Sequence, residues 1–294
     1  MKWLSIALLF LLACNKVPAA DADEQRAVET WRKRRLNGLL SETGWLSLAG
    51  LHFLKEGTQS AGSGDGNDLH LPERAPAQLG TFELKAGKVI FTAAPGVEIK
   101  HGDKAVQQLE LQSDAGAAEP TTLTSGTFSF FVIKRNDRFA IRLRDTESKA
   151  RKGFRGIDSF PIEAKWRLAA RWEPLATPQK IPVPTILGTI DQMDSPGVAV
   201  FKLEGKEQRL QPVIEEGEKR LFFIFADATT GKETYGAGRF LYADLPNDGQ
   251  VILDFNQSYN PPCAFTPYAT CPLPPPQNKL AVAVTAGEKN YGHH

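Results

Sequence analysis

The chain has 294 residues, with 35 Lys or Arg against 34 Asp or Glu and a formal net charge of +1. A chain of this length can bury a sizeable core, and its near-neutral charge argues against nucleic acid as a partner, since phosphate binding needs a basic surface. The sequence holds no short motif for a nucleotide, a metal ion or a serine nucleophile, so we expect neither a cofactor nor a metal.

The N-terminus has the pattern of an export signal. Lys2 precedes an apolar run from Trp3 to Ala13 that is too short to span a bilayer. The run ends at Cys14, and the segment resembles the lipobox of bacterial lipoproteins. We therefore predict a signal peptide over residues 1–13, a lipid on Cys14 and a tether over residues 14–22. A plain secretory signal cut near Ala20 is the alternative.

The lipid would make the membrane a partner of the mature protein. Asn15 follows Cys14. In the sorting rule of enteric lipoproteins, the absence of Asp at this position implies transfer to the outer membrane. We expect an exported protein that is anchored by its lipid to the outer membrane and faces the periplasm.

A short N-terminal helix is predicted over residues 23–43. Asp23 to Leu40 carries helical periodicity, and Asp23 is a suitable N-cap. From residue 44 to residue 145 the pattern changes to short alternating segments separated by turn residues, which predicts a β-sandwich-like block.

Two segments of this block form a tight hairpin around Arg135-Asn136-Asp137. In its second strand, Arg138, Arg142 and Arg144 alternate with apolar residues and therefore share one face. Arg142 and Arg144 have two interpretations: a solvated face with rim salt bridges, or a clamp for an anionic ligand, which the guanidinium fork suits.

Residues 146–165 read as a connector, and residues 166–294 as a second β block that includes a strand over Leu280 to Thr285. The predicted fold class is therefore mainly β, with two β-sandwich-like blocks and a short N-terminal helix.

The second block contains a proline-dense segment, Tyr259 to Asn278, which we name the Pro/Cys loop. Neither a helix nor a central strand tolerates this spacing of prolines. The loop holds Cys263 and Cys271, which would meet an oxidising compartment after export, so a disulfide between them is plausible. A buried reduced pair and a two-thiolate metal site are the alternatives.

Polar residues flank this loop and form the candidate site. Asp254 and Glu288 are candidate acid or base residues. The candidate ligand-binding residues are Arg239, Tyr242, Asn256, Tyr259, Asn260 and Lys289. The alternative is that these side chains satisfy loop carbonyls and hold the C-terminus in place.

Several segments resemble a bacterial and archaeal domain of unknown function, family 1684. The matching segments are Gly44 to Leu51, Arg142 to Asp145, Phe225 to Tyr242, Asp254 to Asn256, Tyr259 to Cys263, Cys271 to Pro275 and Ala286 to Lys289. The resemblance covers almost the whole mature length and implies no particular chemistry.

A second resemblance concerns the first block alone. Gly62, Asn67 and Leu71 are spaced as at the opening of a forkhead-associated domain, a β-sandwich that reads phosphothreonine. Ser63 stands where that family carries its phosphate-facing arginine. The resemblance therefore implies the sandwich and not the phosphopeptide activity.

Two functions follow as hypotheses. The first is a binding or scaffold module that recognises a small ligand or an envelope component near the Pro/Cys loop. The second is a hydrolase-like enzyme that uses Asp254 or Glu288 as acid or base. Because no activated nucleophile can be assembled from the sequence, we favour the first and leave open whether the protein is an enzyme.

Overall fold

The computed structural model describes residues 21–116 and 119–292. The predicted signal peptide, Cys14 and most of the predicted tether lie outside these residues. In the described part of the chain, no helix is long and apolar enough to cross a bilayer.

The fold is mainly β, as the sequence predicts. Helix α1 spans Ala22–Leu40, and the short helix α2 spans Lys149–Gly153. Asp21, rather than the predicted Asp23, caps α1, because its side chain accepts hydrogen bonds from the backbone N–H groups of Asp23 and Glu24. The helix ends at Leu40, three residues before the predicted boundary.

Two sheets make up the first block. Its strands are β1 Leu48–Phe53, β2 Gly57–Gly62, β3 Leu69–His70, β4 Gly80–Lys85, β5 Lys88–Ala93, β6 Lys100–His101, β7 Lys104–Ala105, β8 Gln108–Leu111, β9 Leu123–Ser125, β10 Phe128–Arg135 and β11 Arg138–Asp145. One sheet has the order β1-β11-β10-β9-β6-β7 and the other β3-β2-β4-β5-β8. Both sheets contribute to one apolar core, which includes Phe82, Phe91 and Phe130 in mutual aromatic contact.

The predicted hairpin is β10 and β11, with Arg135 paired to Arg138 across the turn. Ile141 and Leu143 of β11 face the core, and Arg142 and Arg144 face the other way. A forkhead-associated fold for this block stays a prediction. Asn67 makes turn contacts, since its side-chain amide donates to the carbonyls of Gly64 and Ala77.

The second block has its own core and two more sheets. Its strands are β12 Arg167–Pro184, β13 Ile190–Leu203, β14 Lys206–Leu210, β15 Leu221–Phe225, β16 Arg239–Ala243 and β17 Gln250–Asp254. One sheet has the order β14-β13-β12-β17, and β15 pairs with β16. Phe201, Phe223 and Phe255 are among the buried residues of this core.

The predicted strand over Leu280 to Thr285 is wrong. Leu280, Val282 and Val284 are buried at alternate positions, which explains the sequence pattern, but the segment pairs with no strand of the described chain. Its backbone groups bond partly to side chains instead: the Val284 N–H donates to Asp227 Oδ1, and the Val284 carbonyl accepts from Arg239 Nη2. The Leu280 N–H also donates to the Ala226 carbonyl, and the Val282 carbonyl accepts from the Ala228 N–H. Burial with period two therefore reflects an extended segment that is held by side chains and by backbone bonds outside any strand.

Candidate functional site

Arg239 anchors the C-terminal segment. Its side chain is fully buried and pairs with Asp227 through Nη2 and Oδ2 at 2.8 Å. The guanidinium also donates to the backbone carbonyls of Val284, at 2.8 Å, and Ala286. A guanidinium enclosed in this way has its charge balanced and most of its donors used. Arg239 therefore holds the C-terminal segment in place and lines neither of the cavities described below.

Glu288 is also buried and fully engaged. Its Oε1 accepts from Arg35 Nε of helix α1 at 3.0 Å, and its Oε2 accepts from the Asn260 N–H at 2.7 Å. The Arg35 guanidinium lies 4.6 Å from the Trp45 ring centroid and 4.7 Å from that of Tyr259. Glu288 therefore joins helix α1 to the Pro/Cys loop, in line with the structural interpretation of this cluster.

Asp254 and Asn256 form a cap. Asp254 Oδ1 accepts from the backbone N–H and the side-chain amide of Asn256, and its Oδ2 accepts from Gln257 Nε2 at 3.1 Å. Asp254 lines an open groove, whereas Glu288 is 3% exposed and lines none of the described cavities. The two candidate acid or base residues thus do not converge on one cavity.

Asn260 and Lys289 hold the same end of the chain together. The Asn260 side-chain amide donates to the Lys289 carbonyl at 2.7 Å, and Lys289 Nζ lies 4.9 Å from the Phe160 ring centroid. We name Asp227, Arg239, Asn260 and Glu288 the C-terminal polar cluster. Each of its charged members has an opposite charge beside it.

The Pro/Cys loop is built into the second block. Its Cys271 carbonyl accepts from the Ile186 N–H, and the Leu273 N–H donates to the Pro184 carbonyl. Gly238 has a φ of +86°, and a Cβ there would lie 2.4 Å from Pro274 Cγ, so glycine allows the loop to pack against β16.

The two cysteines of the loop lie side by side as free thiols. The Cys263 N–H donates to Cys271 Sγ at 3.1 Å. A hydrogen bond between the two thiols lowers the pKa of Cys263 and raises that of Cys271, and burial raises the latter further. The disulfide between Cys263 and Cys271 stays a prediction. No group of three or more His, Cys, Asp or Glu within the described ranges is placed to hold a metal ion.

A cavity of about 180 Å³ lies between the first block and the Pro/Cys loop, and we name it the aromatic cavity. Five aromatic side chains and one cation dominate its wall. These side chains are Trp45, Phe222, Phe240, Tyr242, Tyr259 and Arg142. Leu48 and Arg142 come from the first block, and Ala269, Thr270 and Cys271 come from the loop. The cavity therefore exists only where the two blocks meet.

Arg142 differs from Arg239 in having no carboxylate. Its Nη2 donates to Thr270 Oγ1 at 3.2 Å, and its Nε is buried without a partner. Asp114, whose charge acts on Arg142, pairs with Arg135 at 2.9 Å. Burial, together with the positive charge of Arg135, lowers the pKa of Arg142 to about 10. Arg142 is thus a half-buried cation that forms no ion pair with an acidic side chain of the described residues.

Arg144, two residues further along β11, is also partly buried, and its Nε has no partner. Its guanidinium lies 4.9 Å from the Phe131 ring centroid, and burial lowers its pKa. Arg144 is not among the residues that line the aromatic cavity. Arg142 therefore lines the aromatic cavity and Arg144 does not, although the two arginines share one face of β11.

Tyr242 stands at the junction of the aromatic cavity and a neighbouring groove. Its ring packs against Phe222 at 4.8 Å and against Tyr259 at 6.4 Å, and its hydroxyl donates to Glu215. Burial raises the pKa of both Tyr242 and Tyr259, so both rings are neutral at physiological pH. They offer flat apolar surfaces to whatever enters the cavity.

The neighbouring groove has a volume of about 590 Å³ and is more polar. Tyr242 and Tyr259 line both spaces, so the two adjoin across the tyrosine pair. Arg220, which is exposed and pairs with Glu218 at 2.7 Å, lies over the Tyr242 ring at 4.3 Å on the groove side. The groove thus adds a larger, more polar space beside the aromatic cavity.

Of the residues that the sequence nominated, Arg142, Tyr242 and Tyr259 line the aromatic cavity. Sequence reasoning did not select Glu215, Thr270 or Trp45 as site residues. Trp45 and Thr270 stand inside segments that the sequence marked as a family motif and as the Pro/Cys loop, which was the available signal. Glu215 lies in an acidic run whose sequence alone indicates only a solvated turn.

The fold and the cavity define a mainly β protein with an aromatic site between two blocks. The chain belongs to the DUF1684 family of proteins of unknown function. The family model matches residues 152–289. No curated protein matches the chain.

Among solved structures, the chain is similar to an uncharacterized protein of Haloarcula marismortui determined by solution NMR. The two chains share 30% sequence identity, and the match covers 49% of this chain and 81% of that one, with a TM-score of 0.41.

Proposed function

We propose that the protein is an exported, lipid-anchored binding module that holds a small ligand in the aromatic cavity. The observation that carries this proposal is a half-buried cation without an ion-pair partner, Arg142, in the wall of a cavity whose other walls are largely aromatic. Aromatic walls with a few convergent polar groups are typical of small-ligand sites. The C-terminal polar cluster, by contrast, leaves no charged group free for a ligand.

The aromatic cavity is smaller than the usual cavity for a drug-sized ligand, which exceeds roughly 300 Å³. We therefore expect its ligand to be a fragment-sized molecule, or one end of a longer molecule that continues into the adjoining groove. Anchoring through Cys14 would keep such a module at the membrane surface, where it meets solutes of the envelope.

A thermal-shift screen of small polar and aromatic compounds on the purified full-length protein tests the binding role. We expect hits that raise the melting temperature of the natural protein and do not raise that of Ala269→Leu, which fills the cavity. Ala169→Leu is the matched control, because Ala169 is exposed on β12. Hits that survive Ala269→Leu unchanged would place binding elsewhere and contradict the proposal.

Mass spectrometry of the N-terminal peptide from membranes tests the anchor separately. We expect a mature chain that begins at Cys14 and carries a diacylglycerol mass. A chain cut near Ala20 and lacking lipid would leave an exported binding module without its anchor.

A further inference from the structure

The charge in the wall of the aromatic cavity indicates what kind of ligand would fit. Arg142 makes one hydrogen bond, to Thr270, out of the five that a guanidinium can donate. Thr270 Oγ1 also accepts from Arg135 Nε at 3.2 Å, so this one hydroxyl is shared between two cations. Burying a cation without a counter-charge is costly, and a ligand that supplies the negative charge would remove that cost.

The two neighbouring arginines are not equivalent partners for an anion. Arg135 already forms an ion pair with Asp114. Arg144 does not line the aromatic cavity. Within the cavity, therefore, a single unpaired guanidinium is available, and it balances one negative charge. A guanidinium binds a carboxylate through two parallel hydrogen bonds, which gives orientation as well as affinity.

The aromatic part of the cavity wall limits the size and shape of the rest of the ligand. Phe222, Phe240, Tyr242 and Tyr259 form a continuous set of ring contacts, with centroid distances of 4.8 to 6.4 Å. A volume of about 180 Å³ equals roughly six water molecules at about 30 Å³ each. One ring with one small substituent fills such a space. Glu215, also in the wall, disfavours a second negative charge.

We propose that the aromatic cavity binds a monocarboxylate with a single aromatic ring or an equally flat apolar body, its carboxylate on Arg142 and its ring against Tyr242 and Tyr259. This inference rests on the proposed binding function and adds the chemical class of the ligand. Neither the family assignment nor the sequence motifs assign such a ligand to the chain.

Isothermal titration of the full-length protein with three probes tests the class of ligand. Benzoate is the carboxylate, benzamide is its neutral counterpart of nearly equal shape, and phenyl phosphate carries more negative charge. We expect benzoate to bind at least tenfold more tightly than benzamide, because only benzoate brings a negative charge and two acceptor oxygens to the guanidinium. Tighter binding of phenyl phosphate than of benzoate would overturn the carboxylate assignment.

Two arginine variants test which residue binds the carboxylate of benzoate. Arg142→Met should lower benzoate affinity at least tenfold and benzamide affinity by less than about threefold, because benzamide has no charge to lose its partner. Arg144→Met is the matched control, being on the same face of β11 and partly buried, and should keep benzoate affinity within about threefold. Equal losses in both variants would show a general effect of positive charge and overturn the assignment to Arg142.

Circular dichroism and thermal melting establish that each variant is folded. If Arg142→Met does not fold, Arg142→Lys replaces it. This variant keeps the charge and loses the fork, and we expect a several-fold loss of benzoate affinity with no change for benzamide. Unchanged benzoate affinity in the folded arginine variant contradicts the proposal.

The probes also separate this inference from the proposed function. If benzamide binds as tightly as benzoate and both are lost in Ala269→Leu, the cavity binds ligands but not through the charge of Arg142. In that case the carboxylate inference fails and the binding function stands. If neither these probes nor any compound in the screen binds, both fail.

Discussion

Two arginines, Arg239 and Arg142, have different surroundings. Arg239 lies in the C-terminal polar cluster with Asp227 at 2.8 Å and donates to the backbone carbonyls of Val284 and Ala286, and only its Nε has no partner. Arg142 lies in the wall of the aromatic cavity with one threonine hydroxyl and no carboxylate. A buried charge that has its counter-charge and its hydrogen bonds is part of the scaffold, and one that lacks them is open to a ligand.

This difference between the two arginines is opposite to what the sequence predicts. Proximity to the Pro/Cys loop favoured Arg239, Asp254 and Glu288 as site residues. In the structure all three hold local structure in place, whereas the unpaired cation, Arg142, comes from β11 in the first block. Substitutions in the two regions should therefore affect different properties of the molecule, stability in one and binding in the other.

The largest expected effect is that of Arg239→Met. This change removes a buried cation and leaves the Asp227 carboxylate without its partner, which costs about 3 to 5 kcal/mol in the free energy of unfolding. Urea denaturation followed by circular dichroism measures it. Arg220→Met, which breaks the exposed pair with Glu218, is the control and should cost less than about 1 kcal/mol. Similar losses in the two variants would contradict the scaffold role of Arg239.

Glu288→Gln should have an intermediate effect. The amide keeps an acceptor for one partner but loses the charge that faces Arg35 and one of the two charge-assisted hydrogen bonds. We expect a loss of about 2 kcal/mol in the free energy of unfolding, measured by the same denaturation. Benzoate affinity at 25 °C should not change in the folded fraction. A folded variant that lost ligand binding completely would instead support Glu288 as a site residue.

Asp254→Asn should cost less. Asp254 is only half-buried, and its carboxylate caps a single turn through Asn256 and Gln257. Loss of a cap costs about 1 kcal/mol, and thermal melting detects a change of that size. Because the Asp254 side chain lines the open groove and not the aromatic cavity, probe affinity should stay within about twofold.

Sequence patterns predicted the structural features that depend on residues close together in the chain. Alternation in the first block predicted the β10 and β11 hairpin and placed Arg142 and Arg144 on one face, because side chains of a strand alternate regardless of what they contact. The same reasoning failed at Leu280 to Thr285, where alternate burial arises without a strand partner because Arg239 and Asp227 supply hydrogen bonds.

The aromatic cavity could not be read from the sequence. Its walls come from separate segments near Trp45, Arg142, Glu215, Phe240 and Thr270, and no spacing in the chain signals that these meet. Nor can composition show which arginine has a carboxylate beside it. Arg239 and Asp227 are twelve residues apart with a turn between them, whereas Asp114 lies close to Arg142 but pairs with Arg135.

The smallest effect on stability is expected for Arg142→Met, although its effect on benzoate binding is the largest. The methionine fills part of the same volume and removes a half-buried charge that forms no ion pair with a described carboxylate, so the loss of one hydrogen bond to Thr270 is offset by relief of desolvation. We expect the free energy of unfolding to change by less than about 1 kcal/mol in either direction. Urea denaturation of Arg142→Met beside Arg239→Met measures the contrast directly. A loss for Arg142→Met as large as that for Arg239→Met would mean that Arg142 is also part of the scaffold, because only a cation with strong native partners destabilises the fold to that extent when it is removed.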